Sequence, residues 1–153
     1  MITITPNFVD GAFEQEVLKL VPYVPQRGEH RNQVLRYGEH NEAYHKMVSD
    51  KIPDVFLPLK DKLSFDSVTI NEYYPNQSIP WHIDFKDIGK TISIISLLSD
   101  ADIHFLYGKE KQTYRLPRFS FVQFSGDLRY KWKHRVVARD KRYSVVFRDS
   151  TDN

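Results

Sequence analysis

Pro80-Trp81-His82-Ile83-Asp84 sets an imidazole and a carboxylate two residues apart. In an extended segment residues i and i+2 project from one face, so the two groups converge on one point. Neutral imidazole plus carboxylate is two thirds of the ligand set that binds non-haem Fe(II) and leaves positions open for a cosubstrate and oxygen. A surface turn in which Asp84 accepts from His82 satisfies the same spacing, so the pair needs a third ligand from a distant strand. His134, in Trp132-Lys133-His134-Arg135-Val136, opens such a strand late in the chain. His30, His40 and His45 fall in loop and helical sequence and His104 in an ordinary alternating strand, where solvated or core-edge histidines are the rule.

A second group of residues follows His134. If Arg142-Tyr143-Ser144-Val145-Val146-Phe147-Arg148 is a strand, Arg142, Ser144, Val146 and Arg148 share one face, while Tyr143, Val145 and Phe147 share the other. Two guanidinium groups facing into a small barrel are costly unless they meet anions. A dicarboxylate answers both, because guanidinium pairs with carboxylate bidentately. An edge strand with solvated arginines is the alternative.

The elements that must position these groups follow from pattern. Ala12, Phe13, Val17, Leu18, Leu20 and Val21 recur at helical spacing, with Asp10 as N-cap and Pro22 as stop. Residues 23–44 hold Pro25, Gly28 and Gly38 among polar residues and read as loop, with short strands around Gln33 to Tyr37. A second helix begins at Pro53 and runs through Val55, Phe56, Leu59 and Leu63, with Pro58 against it. After Leu63 the pattern changes to period-two alternation in about seven short runs: 67–74, 91–98, 103–107, 112–116, 120–124, 134–137 and 143–147. With no helical sequence between them, these predict an antiparallel sandwich or barrel.

Composition bounds the rest. The 153 residues, 41% of them hydrophobic, suit one globular domain. There is no cysteine, which excludes disulfides, thiolate nucleophiles, zinc fingers and iron–sulfur clusters. A net charge of +2 neither announces nor opposes a nucleic-acid partner. The amino terminus lacks the basic and apolar regions of a secretory signal, and no apolar run approaches a membrane span. The expectation is a soluble intracellular, cytoplasmic protein, with a nuclear location also open, not associated with a membrane and monomeric.

Together the motifs Asn71-Glu72-Tyr73-Tyr74, His82-Ile83-Asp84, Ser125-Gly126-Asp127-Leu128-Arg129 through Trp132 and His134, and Arg142-x5-Arg148 resemble the AlkB family of Fe(II)- and 2-oxoglutarate-dependent dioxygenases. Ile4 to Phe8, Arg31, Tyr37-Gly38 and Tyr44 resemble that family's amino-terminal part, so the likeness covers nearly the whole chain. It implies a double-stranded β-helix, or jelly roll: a mainly β fold with N-terminal helices, in one domain over 1–153. Helices and a substrate-recognition lid would occupy 1–65 and the catalytic core 66–150. It further implies that His82, Asp84 and His134 hold iron and act in catalysis. Arg142 would bind the distal carboxylate of 2-oxoglutarate with Tyr73 and Ser144, while Asn71 and Arg148 lie near its other end at the metal. Some members carry Asn where Ser144 stands. The implied cofactors are Fe(II), 2-oxoglutarate as cosubstrate, and O2. The implied reaction yields succinate and carbon dioxide while an N-methyl group on a nucleobase is hydroxylated, and the product loses formaldehyde.

The implied partner is methylated DNA or RNA, with a single strand favoured because the chain leaves little room for a duplex-prying hairpin. Stacked bases are out of reach of such a site, so the base must be unpaired or flipped. Trp81, Tyr23, Tyr37 and Tyr44 are the stacking candidates, and Arg31, Arg36, Arg129 and Lys133 the phosphate candidates, with Tyr37 and Arg31 first. Relatives that repair adenine and cytosine carry acidic residues directly after the His-x-Asp pair; here Phe85 and Lys86 intervene before Asp87, which leaves base preference open. Two other functions stay open: a dioxygenase acting on a protein side chain or small metabolite, and a non-catalytic jelly-roll nucleic-acid-binding module.

Overall fold

The computed structural model describes residues 1–39 and 48–152. Tyr44, His40 and His45 lie outside the described residues. Among the described residues nine strands form two antiparallel sheets. Strands β1 (Ile2–Thr5), β2 (Gln33–Gly38), β3 (Ser67–Tyr73), β4 (Ile92–Leu97), β7 (Phe121–Phe124) and β9 (Arg142–Arg148) make a six-stranded sheet in the order β1-β7-β4-β9-β3-β2. Strands β5 (Ala101–Tyr107), β6 (Glu110–Leu116) and β8 (Lys133–Val136) make a second sheet in the order β6-β5-β8. All seven expected strands are present, each within a few residues of its expected bounds, and the jelly-roll class is correct.

Three features differ from expectation. The first is at residue 65: β1 and β2 come from the amino-terminal third yet form both edges of the large sheet, so that third is not only helices and lid. Secondly, the segment after Pro53 is a 3-10 helix, Asp54–Asp61, rather than an α-helix. Pro58 has no N–H to give to an i→i−4 bond, and the shorter-pitch turn still buries Phe56 and Leu59. Thirdly, a short helix α2 (Asp127–Tyr130) interrupts the strands, entered through Gly126 at φ +62°. Helix α1 (Gly11–Leu18) starts as expected, the Asp10 carboxylate accepting from the Phe13 amide at 3.0 Å, but stops one turn before Pro22.

The large sheet separates two cores. Ile70, Ile95, Leu97, Val145 and Phe147 face α1 and the 3-10 helix, which cover that side. Ile92, Ile94, Val122, Phe124 and Val146 face the small sheet, meeting Ile103, Phe105 and Val136. The alternation expected for β9 is therefore present: Tyr143, Val145 and Phe147 pack under the helices, while Val146 lies between the sheets.

Glu14 is fully buried on the inner side of α1, where its carboxylate accepts from the Leu98 amide at 2.9 Å and from Arg118 Nε at 3.0 Å. Glu14→Ala orphans that amide and is expected to cost about 2 kcal/mol, measured as a lower urea midpoint with an unchanged slope.

Candidate active site

The site is built between the sheets. His134 sits in β8 with its ring turned inward, and the segment carrying His82 pairs with it: the His82 amide donates to the His134 carbonyl at 3.2 Å and the His134 amide to the His82 carbonyl at 2.8 Å. This isolated bridge fixes the two rings side by side, 4.2 Å between centroids. Asp84 follows on the same side of the chain. One carboxylate oxygen, Oδ1, lies 3.3 Å from His82 Nε2 and 3.6 Å from His134 Nε2. Among the described residues these three form a cluster whose ligand atoms all stand within 4.8 Å of one another.

The donor set fits a metal on two grounds. The Pro80 carbonyl is 2.8 Å from His82 Nδ1 and can only accept, so Nδ1 carries the proton and the Nε2 lone pair faces Asp84 Oδ1. Two acceptor atoms at that separation repel unless a cation lies between them. Ligands held about 2.1 Å from one ion stand roughly 3 Å apart, close to the spacing found.

Arg148 supplies the outer support. Its Nε and Nη2 donate to Asp84 Oδ2 at 3.0 and 2.8 Å, which leaves Oδ1 to the imidazoles. Burial alone would raise the Asp84 carboxyl, but the Arg148 guanidinium, with His82 and His134, holds it well below the usual range. Burial pushes the His134 imidazole down to about 4 despite Asp84, with His82, Arg148 and Arg129 opposing the proton. Both groups are thus in their ligating forms at neutral pH.

A pH dependence follows for the metal-free protein. Between the ordinary histidine value of about 6.5 and the folded value near 4, the unfolded chain binds a proton that folded His134 refuses. Stability is complete above that window and lost as pH falls through it, by about 3 kcal/mol. Melting temperatures from pH 7.5 to 4.5 check this, and His134→Gln should flatten the curve.

Deeper in the same cavity lie Arg31, Asn71, Tyr73, Arg142 and Ser144. Arg142 is 1% exposed. Its Nη2 donates to Ser96 Oγ at 3.1 Å and its Nε has no hydrogen-bond partner. No carboxylate among the described residues pairs with it, and burial lowers its affinity for its proton. The guanidinium lies 5.5 Å from the Tyr73 ring centroid. Burial raises the Tyr73 phenol, and Arg142 and Arg31 pull it back. Asn71 donates to Ser144 Oγ at 3.1 Å and accepts from Arg31 Nη1 at 2.9 Å. A buried guanidinium with an unbonded Nε, beside a phenol, an amide and a hydroxyl, presents the kind of donors from which a carboxylate accepts.

Several substrate expectations change. Tyr37 is 5% exposed and its ring packs in the core beneath the helices, so it is not a stacking platform. Arg129 is fully buried and donates to three backbone carbonyls, of Gly89 at 3.0 Å, Asp84 at 3.0 Å and Phe85 at 2.6 Å, so it holds the Asp84–Gly89 loop rather than phosphate. Arg31 is half-buried and lines the same cavity, with its Nη1 given to Asn71 Oδ1. Trp81 does not line the cavity itself; it is half-buried next to His82 in the chain, with the guanidinium of the cavity-lining Arg135 5.6 Å from its ring centroid. Tyr23 is exposed. Arg135 lines the same cavity, and its only sign in the sequence is that it adjoins His134.

Arg129→Met is expected to weaken Fe(II) binding roughly 10- to 100-fold, the range for groups that orient a metal ligand. Anaerobic Fe(II) titration checks it, with unchanged affinity as the contrary result.

Residues 13–150 match the family model of the 2OG-Fe(II) oxygenase superfamily. The chain belongs to that superfamily. This 2OG-Fe(II) oxygenase is 24% identical to the uncharacterized protein L905 of Acanthamoeba polyphaga mimivirus, over 96% of this chain and 83% of the other. It is 36% identical over 81 residues to the tRNA (carboxymethyluridine(34)-5-O)-methyltransferase ALKBH8 of Macaca fascicularis, over 48% of this chain and 11% of the relative's length. Its fold is similar to that of OsALKBH1, with a TM-score of 0.71, 15% identity and 97% of each chain covered. It is also similar to a Pseudomonas putida prolyl-4-hydroxylase, with a TM-score of 0.62, 14% identity and coverage of 96% and 92%. The AlkB resemblance read from the sequence is supported by the ALKBH8 and OsALKBH1 likenesses. The superfamily's enzymes are dioxygenases that use Fe(II), 2-oxoglutarate and O2, and the His-Asp-His cluster supplies the donors for that iron. No helix among the described residues is long and apolar enough to cross a membrane.

Proposed function

We propose that this oxygenase is an oxidative N-demethylase of nucleobases, acting as a monomer on single-stranded DNA or RNA through one domain spanning 1–153. In this reading His82, Asp84 and His134 hold the iron, and Arg142, Tyr73, Ser144 and Asn71 hold 2-oxoglutarate. When bound, the iron and cosubstrate supply an oxidant that hydroxylates the N-methyl carbon. The chain's residues do the rest. Arg148 keeps Asp84 ionised and turned so that one oxygen faces the imidazoles. The Pro80 carbonyl keeps the proton of His82 on Nδ1. Arg142, buried without an acidic partner among the described residues, orients the cosubstrate's far end by charge.

The observation that carries the nucleobase reading is Trp81. A half-buried indole is the chain neighbour of the first ligand and carries the Arg135 guanidinium over its ring, and Arg135 lines the cavity that holds the triad, so a flat face and a cation stand beside that cavity. Bases stack on such faces at about 1–3 kcal/mol each. The likeness over 81 residues to ALKBH8, whose name is that of a tRNA methyltransferase, favours a nucleic-acid substrate. The test incubates the enzyme with Fe(II), 2-oxoglutarate, O2 and single-stranded oligonucleotides carrying several methyl marks, then measures formaldehyde and digested nucleosides. Formaldehyde with loss of a methyl mark is expected. Succinate formation with every mark intact contradicts the reading and favours a protein or metabolite substrate.

A further inference from the structure

We propose that the solvent face of the β6-β5-β8 sheet is a docking surface for the phosphate backbone of a single-stranded nucleic acid, which it delivers to the mouth of the active site. This rests on the demethylase reading and adds the path of the strand. Cross-strand partners in an antiparallel sheet project from the same face. The register places Lys111, Leu106 and Lys133 in one row and Thr113, His104 and Arg135 in the next. The face is the outer one, since Ile103, Phe105, His134 and Val136 alternate inward and are buried. Neither row contains an acid. In the third row Asp102 is met by Arg139 at 3.3 Å and Arg115 at 3.7 Å, and Asp100 by Arg115 at 3.1 Å, so those carboxylates are already matched.

Lys111, Lys133 and Arg135 therefore leave three positive charges within about two strand spacings, roughly 10 Å. No carboxylate among the described residues lies within ion-pairing distance of them. His104 between them feels this field: burial lowers its imidazole, and Lys111, Arg135 and Arg139 lower it further against Asp102. The surface is continuous with the site, because Arg135 lines the cavity that holds His82, Asp84 and His134 and lies over Trp81. A row of cations ending at an aromatic ring beside a metal centre suits a chain of phosphates that presents one base at its end.

The test measures binding of fluorescein-labelled single-stranded dT12 by anisotropy across a salt series. It compares the 153-residue chain with Lys111→Gln/Lys133→Gln and with Lys19→Gln on α1. If each lysine neutralises one phosphate, the double variant loses about 1.4 from the slope of log K against log salt and binds about 25-fold more weakly at 0.1 M salt. Lys19→Gln should leave the slope as it is. The variants' melting temperatures confirm folding. An unchanged slope in the double variant, or an equal loss in Lys19→Gln, overturns the surface while wild-type binding and demethylation leave the activity standing. Wild-type protein that binds no dT12 overturns the surface. Competition by polyglutamate as strong as by dT12 also overturns it, in favour of an acidic protein partner. A wild type that in addition leaves every methyl mark intact removes the demethylase reading as well.

Discussion

His82→Ala and Asp84→Ala are each expected to lower turnover by about three orders of magnitude or more, with cosubstrate consumption lost as well. Groups that merely orient a ligand cost roughly 10- to 100-fold when removed, so loss of a ligand itself must cost more. The two variants separate folding from chemistry. The His82 side chain is 32% exposed, so its removal opens no core cavity, and the apo protein should melt near the wild-type temperature. Asp84 is buried and holds Arg148, whose side chain is 11% exposed. Its removal strands a guanidinium and should cost about 3–5 kcal/mol in addition. Asp84→Asn keeps the shape and two hydrogen-bonding positions but not the charge, and should fold better while still failing to turn over. Turnover within tenfold of wild type in His82→Ala would contradict the ligand assignment. Formaldehyde and succinate assays with paired melting curves provide the measurement.

The second large effect is on the cosubstrate. Arg142→Ala should raise the 2-oxoglutarate concentration for half-saturation by the loss of one buried charge-assisted contact. At about 2–5 kcal/mol this is roughly 30-fold to several thousand-fold. The metal site lies elsewhere in the cavity, so Fe(II) affinity without cosubstrate should stay within a few-fold of wild type. A structural role for Arg142 predicts a less stable apo protein. The geometry predicts the opposite sign, because a guanidinium 1% exposed, with an unbonded Nε and no carboxylate partner among the described residues, opposes folding until its anion arrives. Melting temperature in Arg142→Ala should therefore hold or rise without 2-oxoglutarate, and the stabilisation that 2-oxoglutarate gives the wild type should vanish. Unchanged half-saturation would contradict the assignment.

The parts of the site legible in the sequence are those whose neighbours are fixed by period two. His82 and Asp84 share a side because the chain there is extended, and Arg142 and Ser144 reach the cavity because β9 alternates. The third ligand, His134, depends on pairing between distant segments, which the joined motifs supplied. What stayed hidden depends on backbone geometry. Arg129 counts among the phosphate candidates in the sequence because it is a cation in a motif shared with the family. Its real partners are three carbonyls of a loop some forty residues earlier, reached through a short helix that period-two reading does not register. Tyr37 carried a signal that was not used: Leu35 and Tyr37 alternate with Val34 and Arg36, and that spacing marks Tyr37 as core in an edge strand covered by helices. The resemblance puts Arg148 at the metal end of the cosubstrate; in the structure it lines the cavity that holds His82, Asp84 and His134, and its two hydrogen bonds to Asp84 Oδ2 are contacts that period two does not show.

The central claim is that three side chains from two distant segments hold one ion next to a buried carboxylate site. Its test is anaerobic titration of the 153-residue chain with Fe(II) in saturating 2-oxoglutarate, followed by the visible charge-transfer absorption of the iron-bound keto acid. A band that saturates at one iron per chain and is absent in both Asp84→Asn and His134→Gln is expected. Wild-type intensity in either variant, or no band in the wild type, would contradict it.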